Sequence, residues 1–156
     1  MKSKRRILRE KVLQILYAFE MQGSGLTDIM NFQLTDIKKE EDLLFINGLV
    51  NYVIANRDKL NEIIKQRLVN WDVSRIAVID RLLLQIGIAE LLSAEDIPTK
   101  VTINETIEIA KEYSTAKSGR FLNGILDAVL IELKKDGKIK KVGRGLIENT
   151  LHKNSD

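Results

Sequence analysis

Residues 73–93 read VSRIAVIDRLLLQIGIAELLS, and this stretch decides the fold. Ile76, Ile79, Leu82, Leu83, Leu84, Ile86, Ile88 and Leu91 cover most of the surface of a helix wound at roughly 100° per residue. A helix apolar nearly all round is the central, buried one. No apolar run approaches the roughly 20 residues that span a bilayer, so the cover must be protein. Asp72 is placed to cap the start of this helix, and Pro98 breaks the chain beyond its end. Trp71 lies in the connection before it. Asp80 and Arg81 are adjacent charges about 100° apart, so they mark the one wet edge. Arg81 is expected to pair with a carboxylate such as Glu90 or one on the following helix, and an exposed Asp80 is free to meet a partner.

Outward from this centre the period stays helical. Residues 4–21 carry Leu8, Val12, Ile15, Leu16 and Phe19 in one stripe, closed by Gly23-Ser24-Gly25. Residues 26–38, 40–56 and 58–68 read as three further helices. Past Pro98 a sixth helix starts near residues 100–103, where Thr102 and Glu105 have capping-box spacing, with a cap one turn earlier as the alternative. A polar loop over residues 114–118 leads to a seventh, about 119–134. Gly124 inside it costs roughly 1 kcal/mol against alanine, which calls for another backbone packed closely there. The reading is all-α, with one domain over residues 1–135. Residues 136–156, rich in Gly and Lys, form a flexible basic tail.

Charge is unevenly placed. The formal net charge is +3. Residues 1–11 hold Lys2, Lys4, Arg5, Arg6, Arg9 and Lys11 against Glu10 alone, and a second cluster runs from Lys134 through Lys135, Lys138, Lys140 and Lys141 to Arg144. The stretch between is acidic. Two basic ends on an acidic body fit an anionic partner at one place and a different partner elsewhere. The chain has no cysteine, which excludes disulfides and thiolate metal sites and fits a reducing, cytoplasmic setting. Its start is too charged for a secretory signal.

Catalysis finds few candidates. The one histidine is His152, in the tail, so nucleophile–base pairs and zinc sites lack members. Glu105, Glu108 and Glu112 share a face of the sixth helix, but a carboxylate metal site in a bundle also needs a Glu-x-x-His element. They read as a solvated face. No phosphate loop or dinucleotide fingerprint is present, and no cofactor is expected.

Two places suit binding instead. Lys2, Arg5, Arg6 and Arg9 cluster on one side of the first helix, and Leu13 and Tyr17 continue that strip away from the core stripe. Arginine forks suit phosphates, and a nearby aromatic can stack on an unpaired base. A solvated N-terminus, with Tyr17 packing a helix junction, explains the same residues equally well. At the start of the seventh helix, Lys117, Ser118, Gly119 and Arg120 stand beside Phe121, where unpaired N–H groups favour a phosphate. A plain helix crossing with Phe121 in the core is the alternative.

The chain resembles the NusB family of transcription antitermination factors in an ordered set of blocks. These are Arg5-Arg6-Ile7-Leu8-Arg9-Glu10 with Leu13-Gln14-Ile15-Leu16-Tyr17; Trp71; Arg75-Ile76; Asp80-Arg81-Leu82-Leu83-Leu84; Glu90-Leu91; Ile97-Pro98; Val101-Thr102-Ile103-Asn104-Glu105; Glu108-Ile109-Ala110-Lys111; and Ser118-Gly119-Arg120-Phe121-Leu122-Asn123-Gly124-Ile125-Leu126. The resemblance covers about residues 4–134. It implies seven helices arranged as two three-helix subdomains around a long central helix. It also implies an adaptor, not an enzyme. Such an adaptor binds the single-stranded boxA element of nascent RNA together with NusE, which is also a small ribosomal subunit protein. The complex joins the RNA polymerase elongation complex with other Nus factors, notably on ribosomal RNA operons. By motif, the RNA surface uses Lys4, Arg5, Arg6, Arg9, Lys117, Arg120 and Phe121, and the NusE surface uses Tyr17 and Asp80. Leu8 departs from a frequent alanine. NusB-like domains also occur fused to RNA cytosine methyltransferases, but no catalytic domain follows here. A self-associating domain without RNA binding is a third class, and the reading admits a monomer or a homodimer.

Overall fold

The computed structural model describes residues 1–69 and 72–147. Trp71 and His152 lie outside the described residues. Seven α-helices follow in order: α1 (Lys4–Gln22), α2 (Leu26–Gln33), α3 (Glu40–Ala55), α4 (Arg57–Lys65), α5 (Val78–Ser93), α6 (Thr99–Tyr113) and α7 (Ala116–Lys135). Short 3₁₀ turns cover Val73–Arg75 and Gly143–Leu146. No strand occurs among the described residues.

The centre is where the apolar stretch put it. Every residue from Leu82 to Leu91 is buried. α5 packs against α1, α3, α4, α6 and α7, so one face of it serves each half of the bundle. It is not the long helix, however: α5 has 16 residues, against 19 for α1 and 20 for α7. Gly87 lets the others approach. A Cβ there would stand 3.2 Å from Thr106 Oγ1 and 3.3 Å from Leu126 Cδ2, tighter than ordinary contact. The apolar stripe of α1 is also wider than Leu8, Val12, Ile15 and Leu16, because Leu13 is fully buried with them.

Helix ends moved where local chemistry moved them. Ser3 Oγ accepts the Arg6 N–H at 3.2 Å and caps α1, and Gly23, at φ 79°, closes it in the left-handed conformation. Asp72 does cap, but it caps the 3₁₀ turn by accepting the Ser74 N–H. Ile76 and Ala77 are extended, so α5 begins at Val78 and not at residue 73. The helix read over residues 26–38 ends at Gln33. α6 starts at Thr99, directly after Pro98. The cap thus lies one turn before Thr102, the alternative to the capping box, and Thr102 lies inside the helix. Its hydroxyl, fully buried, donates to Glu90 Oε1 at 3.0 Å. α7 begins at Ala116, three residues earlier than its apolar period, because Thr115 Oγ1 accepts the Ser118 N–H at 3.0 Å. Gly124 is exposed, and a Cβ there would meet nothing within 4 Å among the described residues, so none of their backbone packs on it.

After α7 the chain crosses to the α5–α6 turn. The Val142 N–H donates to the Glu95 carbonyl at 3.0 Å, and Lys141 Nζ donates to the Ala94 carbonyl at 2.6 Å. Ile139 packs against the core.

Candidate nucleic-acid interface

The basic residues of α1 sit at the positive end of its helix dipole, and no acidic residue occupies the first turn. Each such cation is disfavoured locally by up to about 1 kcal/mol. The fold answers with carboxylates from other helices. Lys2 Nζ lies 2.8 Å from Glu10 Oε1 and 2.7 Å from Glu112 Oε1 on α6. Glu10 first, then Glu112, holds this ammonium above the ordinary lysine range. Lys4 Nζ lies 2.9 Å from Asp42 on α3, which raises its pKa likewise. Arg6 forks onto Glu105 of α6, with Nε to Oε2 at 2.6 Å and Nη2 to Oε1 at 3.1 Å, and that bond raises the guanidinium pKa. Arg5 is exposed and lies over the Phe45 ring, 4.2 Å from its centroid.

Arg9 is placed differently from the other α1 cations. It is only 3% exposed and forks onto Glu90 of α5, which is 1% exposed, at 2.9 and 2.5 Å. The strip of Arg9, Leu13 and Tyr17 is thus not one outward edge. Arg9 and Leu13 are buried, and only Tyr17 reaches solvent, at 41%. As placed, Arg9 sits at the base of a groove it shares with Arg5, and its guanidinium is spent on Glu90.

Nor does Arg81 pair with Glu90. Its guanidinium meets Glu20 near the end of α1. Nine residues along a helix turn through about 900°, so positions 81 and 90 point to opposite faces. The Arg81–Glu20 pair draws the start of α5 against the end of α1, one turn beyond Tyr17. Asp80 is not at a wet edge either. It is 7% exposed and accepts the Ser118 hydroxyl at 2.8 Å through Oδ2, and Oδ1 has no partner among the described residues. Asp80 therefore forms the floor of a shallow groove walled by Arg75, Thr115, Lys117 and Phe121.

At the start of α7 the cations stay at the surface. Lys117 and Arg120 are both exposed and make no ion pair among the described residues, while Phe121 is half-buried. α6 separates this site from the start of α1. Its Glu105 and Glu112 face α1, and a groove lined by Asn104, Ile107, Glu108 and Lys111 joins it to Gly119 and Arg120 of α7. The acidic face expected on α6 is solvated at Glu108 and Glu112, which pair with cations at the surface, while Glu105 is partly buried against Arg6. Lys111, at 2.8 Å, neutralises Glu108 and lowers its pKa.

The sequence marks Glu90 as an ion-pair partner, since a carboxylate inside an apolar helix needs a buried cation, but that cation is Arg9 and not Arg81; Phe45 and Glu20 carry no such signal.

The fold and this surface define a helical binding module built round a buried central helix, with cations left open at the start of α7. Among the described residues no group of three or more His, Cys, Asp or Glu could hold a metal. The NusB family model matches residues 6–130, and the chain belongs to the NusB family. It is 42% identical over 149 residues to the transcription antitermination protein NusB of Chloroherpeton thalassium, covering 92% of this chain and 69% of that protein. It is 42% identical over 148 residues to the protein of the same name from Salinibacter ruber, covering 93% of this chain and 92% of that one. T. maritima NusB superposes with a TM-score of 0.76 at 35% identity, over 83% of this chain and 92% of that one. A solved complex of NusB and NusE with double-stranded RNA shares the fold, with a TM-score of 0.74 at 22% identity, over 83% of this chain and 97% of that one. The family is one of antitermination factors, not enzymes.

Proposed function

We propose that this protein is a transcription antitermination factor that binds boxA-type single-stranded RNA together with NusE. It then carries that small ribosomal subunit protein to the RNA polymerase elongation complex with the other Nus factors, notably during ribosomal RNA transcription. Family membership across residues 6–130 carries the reading. The setting is the cytoplasm, and no helix among the described residues is long and apolar enough to cross a membrane.

The surface supports a division of labour among the candidate residues. Lys117 and Arg120 stand at the positive end of α7 and make no ion pair among the described residues, and a phosphate would supply a direct partner. Phe121 offers a ring beside them for an unstacked base. Arg5 and Lys4 extend the site at α1, and Arg6 contributes through its half-exposed rim. Arg9 acts indirectly, by fixing α1 against α5. For NusE, Tyr17 is the exposed candidate. Asp80, buried, contributes by holding Ser118 and the start of α7.

The test is a titration of the protein with boxA RNA and with a base-substituted boxA, with and without NusE, at several salt concentrations. The expected result is tighter binding to boxA, further tightened by NusE, with an affinity that falls as salt rises. Equal binding of both RNAs in the presence of NusE would overturn the reading.

A further inference from the structure

The segment after α7 adds a feature that the RNA reading does not contain. Exposure alternates along it: Lys138, Lys140 and Val142 face solvent, while Ile139 and Lys141 turn inward. The inward residues anchor it. Ile139 reaches the core, Lys141 bonds the Ala94 carbonyl, and the Val142 N–H bonds the Glu95 carbonyl. Gly145 then lies directly on the Glu95 carbonyl, and a Cβ at that position would collide with it. Only glycine permits this approach. The docking carries the chain to the start of α1, where Arg144 and Ile147 line one groove with Ser3, Arg5, Pro98 and Val101. Two carboxylates share the groove. Glu105 is held by Arg6, and Asp96 is outnumbered by Arg5 and Arg144.

We propose that residues 138–147 form a second cationic edge of the RNA site, on which Lys140 and Arg144 meet backbone phosphates of single-stranded RNA that runs past the boxA contacts at the start of α1. The docked position is what makes these charges useful. An anchored cation lies along the path of the strand, whereas the same charge on a free tail must first be ordered. This inference rests on the RNA-binding reading above.

The experiment compares boxA RNA with the same RNA lengthened at each end by a run of uridines, using the full chain. Lys140→Ala with Arg144→Ala is expected to weaken binding of the long RNA by about tenfold and to flatten its salt slope by about 1.4, as two phosphate contacts on a single strand require. Binding of the short RNA should match the unsubstituted protein. Gly145→Val, which keeps every charge but undocks the segment, should reproduce most of the loss. Unchanged affinity and slope in the double variant would overturn the proposal. So would tighter binding, which would make the segment a cover. A loss in the double variant but not in Gly145→Val would overturn the docked geometry. If the unsubstituted protein binds neither RNA, the parent reading fails as well.

Discussion

The Arg9 guanidinium meets Glu90 through two parallel hydrogen bonds, and Thr102 adds a third bond to the same carboxylate, all in a site closed to water. Removing one partner leaves the other charge buried. Arg9→Ala should therefore cost about 3–5 kcal/mol in urea unfolding, whereas Arg9→Met with Glu90→Leu should recover most of that. In the double variant Thr102 can bond back to a carbonyl one turn earlier. A double variant as unstable as Arg9→Ala would show that the pair does more than satisfy itself. Composition alone groups Arg9 with Arg5 and Arg6. What separates them is one turn of helix: Arg9 lies one turn before Leu13, and Leu13 is core. The sequence shows the spacing, but the width of the buried arc depends on how closely α5 approaches, which the spacing does not contain. Arg5 is the converse case. It stays outside because Phe45 of α3 gives it a ring to lie on.

Helices themselves were legible because each has an apolar stripe, and all seven are found near their expected positions. Their ends were less so. Cap residues compete locally, and Asp72 and Thr102 each found a use other than the expected one. Gly124 is a sharper case. Its helix-interior position predicts a close contact, yet nothing among the described residues approaches it. The glycine that does permit close packing is Gly87 of α5. Gly124→Ala should accordingly stabilise the free protein by about 0.5–1 kcal/mol through helix propensity, read as a higher unfolding midpoint. A loss of stability would mean that a neighbour packs there after all.

At the scale of the whole molecule, the apolar run over α5 was enough to place the centre of the bundle. The placement of charge was not legible, because its pairs join distant parts of the chain: Arg6 with Glu105, Arg9 with Glu90, Arg81 with Glu20, Lys2 with Glu112. The pairs made by Lys2, Arg6 and Arg9, with that of Lys4 and Asp42, neutralise much of the basic start and leave the opening of α7 as the less balanced cationic site. On the proposed reading, Lys117 and Arg120 therefore serve RNA and Arg9 serves the fold. One measurement separates these roles: affinity for boxA RNA in the presence of NusE, for Lys117→Ala with Arg120→Ala and for Arg9→Met with Glu90→Leu, each confirmed folded. The first variant is predicted to bind at least about tenfold more weakly with a flatter salt slope, and the second to bind like the unsubstituted protein. Full affinity in the first variant together with a loss in the second would contradict this assignment.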